Sequence, residues 1–155
     1  MNYSTALIQL PLVCEAGVHR IASPADAYRV CADIACLAQE SFHVLSLNAK
    51  NRLINRHLIT LGLADATSAH PREIFRAAIQ DGASGVIVVH NHPSGDPAPS
   101  SEDLRITRQL VEAGRIVDIR VLDHVIVGRP GSPVGDQPGH PGYLSLRESG
   151  LVAFA

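Results

Sequence analysis

His90 and His92 stand two residues apart at the end of an apolar run, GVIVV, and Asp103 follows in the first turn of an amphipathic segment. Side chains on a strand alternate between its faces, so residues i and i+2 share one face, and two imidazoles at a strand's end can converge on one point. That is a chelating geometry. At 100° per residue from Ser101, Asp103, Thr107, Leu110, Val111 and Gly114 fall on one side of a helix, while Glu102, Arg105, Arg108 and Gln109 fall on the other. Asp103 is therefore expected to face inward. An unpaired buried carboxylate is costly, and a divalent ion shared with the two histidines would supply its partner. Ser100 and Asp103 also form an S-x-x-D capping pair, and acids favour helix N-termini, so both residues have a structural use as well.

Two histidines, one carboxylate and an open fourth position describe a hydrolytic zinc site, in which the metal lowers the pKa of a water toward about 7. The contiguous letters HNH carry little weight for a nuclease of that name, whose residues are spread across a ββα-metal motif. Zinc nucleobase deaminases need a later P-C-x-x-C, and Cys14, Cys31 and Cys36 form no C-x-x-C pair.

The elements that must hold these groups follow from patterning. Residues 5–13 alternate loosely and suggest a strand. Ser23, Pro24 and Asp26 make a helix start, with the helix expected to run to about Leu37. FHVLSLN and RLINRHLITLG, joined through NAKN, predict a hairpin over 42–61. Pro71 opens a helix, PREIFRAAIQ, which Gly82 closes. GVIVV reads as a strand covered on both faces. SEDLRITRQLVEAG reads as a helix with Gly114 near its end, and IRVLDHVIVG as one or two strands. A Pro- and Gly-dense loop is expected over 129–142, then a last strand and short helix in YLSLRESGLV. Helices interleaved with strands, one pair of them a hairpin, argue for an α/β fold with a mixed sheet.

With 155 residues, of which 46% are hydrophobic, a single domain over 1–155 is expected. A formal net charge of −2 provides no basic field to hold phosphate backbones, so DNA is not favoured. An odd number of cysteines fits a reduced compartment, and no stretch approaches a membrane span. A cytoplasmic protein is expected, without a membrane partner.

HNHPSGDPAPSSED fits H-x-H-x7-S-x2-D, the signature of JAMM (MPN+) metalloproteases. The flanking stretches, HPREIFRAAIQDGASGVIVV and VDIRVLDHVIVG, resemble the bacterial RadC family, and the similarity runs from about Glu40 to Leu151. The resemblance implies a cytidine-deaminase-like α/β/α sandwich with a mixed sheet, the JAB/MPN domain. It implies that His90, His92 and Asp103 hold Zn2+. Glu40 would be the catalytic proton carrier and Ser100 would assist the oxyanion, in hydrolysis of an amide or isopeptide bond. The implied substrate is a peptide or protein, ubiquitin-like tails included. By spacing alone Glu40 is one of fifteen acids. RadC proteins often carry an N-terminal helix-hairpin-helix, for which the chain before Glu40 is too short, so a stand-alone catalytic domain is expected. The alternatives are a DNA-associated repair factor or metal-dependent nuclease of the RadC family, and an inactive MPN scaffold. Family members and hairpin edges make a homodimer a candidate assembly.

The remaining chemistry-bearing residues have blander readings. Asp123 and His124 lie in an apolar strand, where a hydrogen-bonded structural histidine is the default. His19, His43, His57, His70 and His140 have no ligand spacing with one another. Arg52, Arg56 and His57 read as charges that block an edge strand, and Asn91 and Ser94 as residues holding the loop after the histidines.

Overall fold

The computed structural model describes residues 19–62, 69–130 and 141–154. The strand expected at 5–13, the loop residues 131–140, and with them Cys14 and His140, lie outside the described residues.

Helix α1 (Pro24–Val30) starts at the capping box of Ser23 and Asp26, with Pro24 in its first turn. It is shorter than expected. Beyond Cys31 the chain tightens into a 3₁₀ turn (Ala32–Cys36), which buries Ile34 and Ala35. Strands β1 (Ser41–Leu47) and β2 (Leu53–Leu61) form the predicted antiparallel hairpin. Helix α2 (Pro71–Gln80) ends at Asp81, after which Gly82 takes φ +63°, a conformation that costs glycine little. Strand β3 (Gly85–Asn91) is buried along its whole length, as the continuous apolar run requires.

Helix α3 (Ser101–Val117) buries Asp103, Thr107, Leu110, Val111 and Gly114, the face expected from its periodicity, and Ile106 beside them. The helix passes through Gly114 and is ended by Asp118 at φ 57°. Gly114 serves packing instead: a Cβ there would lie 2.6 Å from the carbonyl oxygen of Ile119, so the returning chain needs the glycine. One strand follows, β4 (Arg120–Val127), and then the short β5 (Tyr143–Ser145). Residues 146–150 form turns rather than the short helix expected there, with Ser149 and Gly150 bonded back to Ser145 and Arg147.

The five strands lie in the order β2-β1-β3-β4-β5, with only β3 and β4 parallel. On one face α2 and α3 bury Ile74, Phe75, Leu110 and Val111 against Phe42, Val44, Val86 and Val88. On the other, α1 and the 3₁₀ turn cover Leu45, Leu47, Ile87, Val89, Val125 and Val127. This is an α/β/α sandwich with a mixed sheet. No helix among the described residues is long and apolar enough to cross a membrane.

One irregularity aims a side chain. Val86 pairs with Val121 but Ile87 pairs with Asp123, so Leu122 is an extra residue in β4. Such a bulge inverts the alternation beyond it. Val121 and His124, of opposite parity in sequence, therefore both face α3.

Candidate metal centre

His90, next to last in β3, is fully buried and packed nearly parallel to the Phe42 ring at 5.7 Å between centroids. His92, just past the strand, keeps the same face because its N–H still bonds the carbonyl of Val127 at 3.0 Å. The following loop is held down at Gly95, whose carbonyl accepts from Arg129 N–H at 2.8 Å. A Cβ on Gly128 would lie 2.3 Å from that carbonyl oxygen, so the close approach requires glycine. Asp103 enters from α3. Its Oδ1 lies 3.3 Å from His90 Nε2, its Oδ2 lies 3.4 Å from His92 Nε2, and the two Nε2 atoms are 3.0 Å apart.

The protons on these rings can be assigned from their partners. His92 Nδ1 lies 2.8 Å from the carbonyl of Asp96, which can only accept, so the proton is on Nδ1 and Nε2 is a lone pair when the ring is neutral. For His90 the assignment runs through three residues. Thr107 must donate its single hydroxyl hydrogen to the carbonyl of Asp103 at 2.5 Å. Its oxygen then accepts from His124 Nδ1 at 2.6 Å, and His124 Nε2 accepts from His90 Nδ1 at 2.7 Å. Burial, followed by the charge of His92, lowers the His124 pKa to about 4 against an opposing effect of Asp103, and burial first holds His90 well below its ordinary value. Both rings are neutral, and His90 Nε2 is also a bare lone pair.

Two imidazole lone pairs and a carboxylate therefore face one another at 3.0–3.4 Å. Such a set repels itself unless positive charge is placed in it. Burial would raise the Asp103 carboxyl, but bonds from His92 and Ser100 and the proximity of His90 hold it far below the usual carboxylate range. In His92 burial opposes the charged form, yet Asp103, the Asp96 carbonyl and Glu40 outweigh it and raise the pKa. A proton on His92 can thus occupy the place of a cation. Among the described residues, His90, His92 and Asp103 are the one group of three ligand-type side chains close enough to hold a metal ion, their ligand atoms lying within 4.8 Å of one another.

Glu40 immediately precedes β1. Phe42 pairs with His90, so continuing that antiparallel register by two residues sets Glu40 opposite His92. Burial raises its carboxyl pKa, His92 opposes this and Asp103 adds to it, so Glu40 lies within electrostatic reach of both residues. Ser100 is the N-cap of α3. Its hydroxyl donates to Asp103 Oδ2 at 2.7 Å and accepts from Asp103 N–H at 3.1 Å, and its own N–H donates to the same Oδ2 at 2.7 Å.

His124 is a hydrogen-bonded structural histidine, but one whose bond fixes the ring of His90. The polar pair Asp123-His124 inside an apolar strand was the available signal, and the bulge that aims His124 leaves no trace in sequence. Thr107 was expected on the inward face, without its hydrogen bonds. Ser94 does hold the loop, accepting from Asp96 N–H at 3.3 Å, whereas Asn91 bonds Ser41 at the start of β1 and Gln39 two residues before it. On the edge strand β2, Arg56 pairs with Asp33 at 2.7 Å and His57 with Asp81 at 2.6 Å.

Residues 21–151 match the family model of the RadC-like JAB domain. The chain is 44% identical over 143 residues to a UPF0758 protein of Listeria innocua, an alignment covering 92% of this chain and 59% of that protein. It is 49% identical over 135 residues to a UPF0758 protein of Caldanaerobacter subterraneus, covering 86% and 53%. To a UPF0758 protein of Symbiobacterium thermophilum it is 49% identical over 119 residues, covering 77% and 46%. The chain spans about half the length of the curated relatives it matches.

Proposed function

The chain belongs to the family of RadC-like JAB domains, and on that footing we propose that it is a zinc-dependent hydrolase of the JAMM type, cleaving an amide or isopeptide bond in a peptide or protein. The observation that carries this reading is the convergence of two imidazole Nε2 atoms and one carboxylate beside a second, half-buried carboxylate. Two nitrogens and one oxygen suit Zn2+, and three protein ligands leave a position open. His90, His92 and Asp103 would hold the ion. When bound, zinc lowers the pKa of a water toward about 7 and polarises a carbonyl oxygen.

The chain's own groups do the rest. Glu40 takes the proton from the attacking water and returns it to the departing amine. Its pKa, raised by burial, brings it closer to the range in which a carboxylate can both accept and give a proton. His124 and Thr107 keep the His90 ring in its ligating tautomer. Ser100 orients Asp103 through the cap, and its hydroxyl is the side-chain donor assigned to the oxyanion. A net charge of −2 argues against a phosphate-backbone substrate.

The test is a panel of peptide and isopeptide reporters, including ubiquitin-like Gly-Gly tails, run beside gel-shift and nicking assays on duplex DNA. At least one reporter should be cleaved in a zinc- and Glu40-dependent manner, with no DNA cut. Nicking that is lost in His92→Ala would replace this reading with that of a nuclease, and silence in every assay would favour an inactive scaffold.

A further inference from the structure

Asn91 lies between the two histidines but on the other face of the sheet, and it is fully buried. Beneath α1 and the 3₁₀ turn an apolar side chain would pack at least as well as an amide. Burying an amide is favourable only when its hydrogen bonds are made. All of those bonds go to the three residues centred on Glu40. Oδ1 accepts from the Ser41 N–H at 2.8 Å and from the Ser41 hydroxyl at 2.7 Å, and Nδ2 donates to the carbonyl of Gln39 at 3.1 Å. A backbone N–H on one side and a carbonyl on the other admit only one orientation of the amide. Glu40's own carbonyl accepts from Gly62 N–H at 2.9 Å, so the main chain is tied before, at and after this residue.

The amide is itself held from behind. Arg56 can only donate, and its Nε points at His43 Nδ1 at 3.4 Å, while its guanidinium pairs with Asp33. Burial first, and Arg56 next, lower the His43 pKa to about 4 despite Asp33, so the ring is neutral and its proton is on Nε2. Nε2 then donates to the Ser41 oxygen at 3.1 Å, which leaves the Ser41 hydrogen for Asn91. The bonds thus run in one direction, from Arg56 through His43 and Ser41 to Asn91. Ser41, His43 and Asn91 are each at most 4% exposed.

This matters because Glu40 lies outside the ladder. The β1–β3 pairing ends at Phe42 and His90; on the β2 side Ser41 pairs with Leu61 and the Glu40 carbonyl is held by Gly62, but on the β3 side no ladder bond fixes Glu40 and Ser41. A proton carrier must stand within about 2.6–3.2 Å of the proton it moves, and an error of about 1 Å can cost on the order of 100-fold in rate.

We propose that Asn91, supported by Ser41 and His43, is the positioning residue for Glu40, fixing the main chain that aims its carboxylate at the metal centre from the opposite face of the sheet. The inference rests on the proposed role of Glu40 in hydrolysis. Asn91 touches neither the ligand atoms nor Glu40's carboxylate, so it acts on the rate without acting on the metal.

The experiment uses the zinc-loaded protein, an isopeptide reporter ending in Gly-Gly, and the variants Asn91→Ala and Ser41→Ala, the second retaining the main-chain bond in case the first does not fold. In Asn91→Ala, kcat should fall about 10- to 100-fold with KM and zinc affinity unchanged within about twofold, and amide hydrogen exchange at Ser41 and Gly62 should accelerate. Ser41→Ala should show the same pattern, more weakly. Weakened zinc binding in step with the loss of rate would overturn the proposal, because it would make Asn91 a support for its histidine neighbours. Faster exchange with unchanged kcat would overturn it as well. A wild-type protein that cleaves none of the reporters defeats the hydrolase reading itself, whereas an active wild type with an equally active Asn91→Ala defeats only the positioning role.

Discussion

Thr107 lies one helical turn after Asp103, and its hydroxyl donates to the Asp103 carbonyl at 2.5 Å, which obliges the same oxygen to accept from His124. One hydroxyl hydrogen thereby determines which nitrogen of His90, two bonds away, is available to a metal. Replacing Thr107 with Val keeps the shape but removes that constraint. Zinc affinity should drop about 10- to 100-fold, as for other partners of ligating histidines, and competition with a chromophoric chelator measures it. Unchanged affinity would show that His90 holds its tautomer without this chain of bonds.

Protein purified without chelator should contain about one equivalent of zinc by elemental analysis, and His92→Ala or Asp103→Ala should contain almost none. The two variants should differ in stability when metal-free. Asp103→Ala removes the carboxylate that favours a proton on His92, whereas His92→Ala leaves that buried carboxylate without this partner. Stoichiometric zinc in both variants would mean that the metal sits elsewhere.

Glu40→Gln should keep zinc content and melting temperature while hydrolysis falls below detection, because a neutral amide has the shape of the carboxylate but cannot take the proton. Loss of zinc in this variant would make Glu40 a ligand.

Zinc uptake should release a proton. Against burial, Asp103, the Asp96 carbonyl and Glu40 raise the His92 pKa above its ordinary value, which favours a proton on the metal-free ring, and a cation must displace that proton to reach Nε2. Affinity should therefore climb with pH until His92 is neutral and level off above that point. Titration calorimetry in two buffers of different ionisation enthalpy counts the proton. No proton release anywhere on the rising part of that profile would contradict the raised His92 pKa.

His43 should make the metal-free fold sensitive to acid. Its folded pKa, about 4, is depressed below 6.5, so the stability it contributes is present above 6.5 and is lost as the pH falls toward 4, where the unfolded chain binds a proton that the folded one refuses. The shift corresponds to about 3 kcal/mol. Denaturant unfolding across this range should show the loss, and a His43→Gln variant should show a shallower one.

Much of the candidate metal centre is legible in the sequence because helix and strand periods are local properties of the chain. The i, i+2 spacing sets His90 and His92 on one face, and the 100° rotation sets Asp103 and Thr107 on the buried side of α3. The alternation of element types, with one hairpin, likewise determines an α/β fold with a mixed sheet.

Relations between distant strands are not local, and they were decided only by tertiary packing. Glu40 stands among fifteen acids until the β1–β3 register brings it opposite His92. That register is set by filling both hydrophobic layers at once, which no single segment encodes. His124 faces His90 because one extra residue at Leu122 inverts the parity of β4, and a bulge is invisible in a pattern of period two. Asn91 reads as loop support because its letters sit between the histidines, yet alternation turns it to the far side, where its partners are fifty residues back along the chain. The sequence by itself determined which side chains could bind a metal; the fold decided which groups surround them, because hydrogen bonds across a sheet depend on pairing that forms only when the core closes.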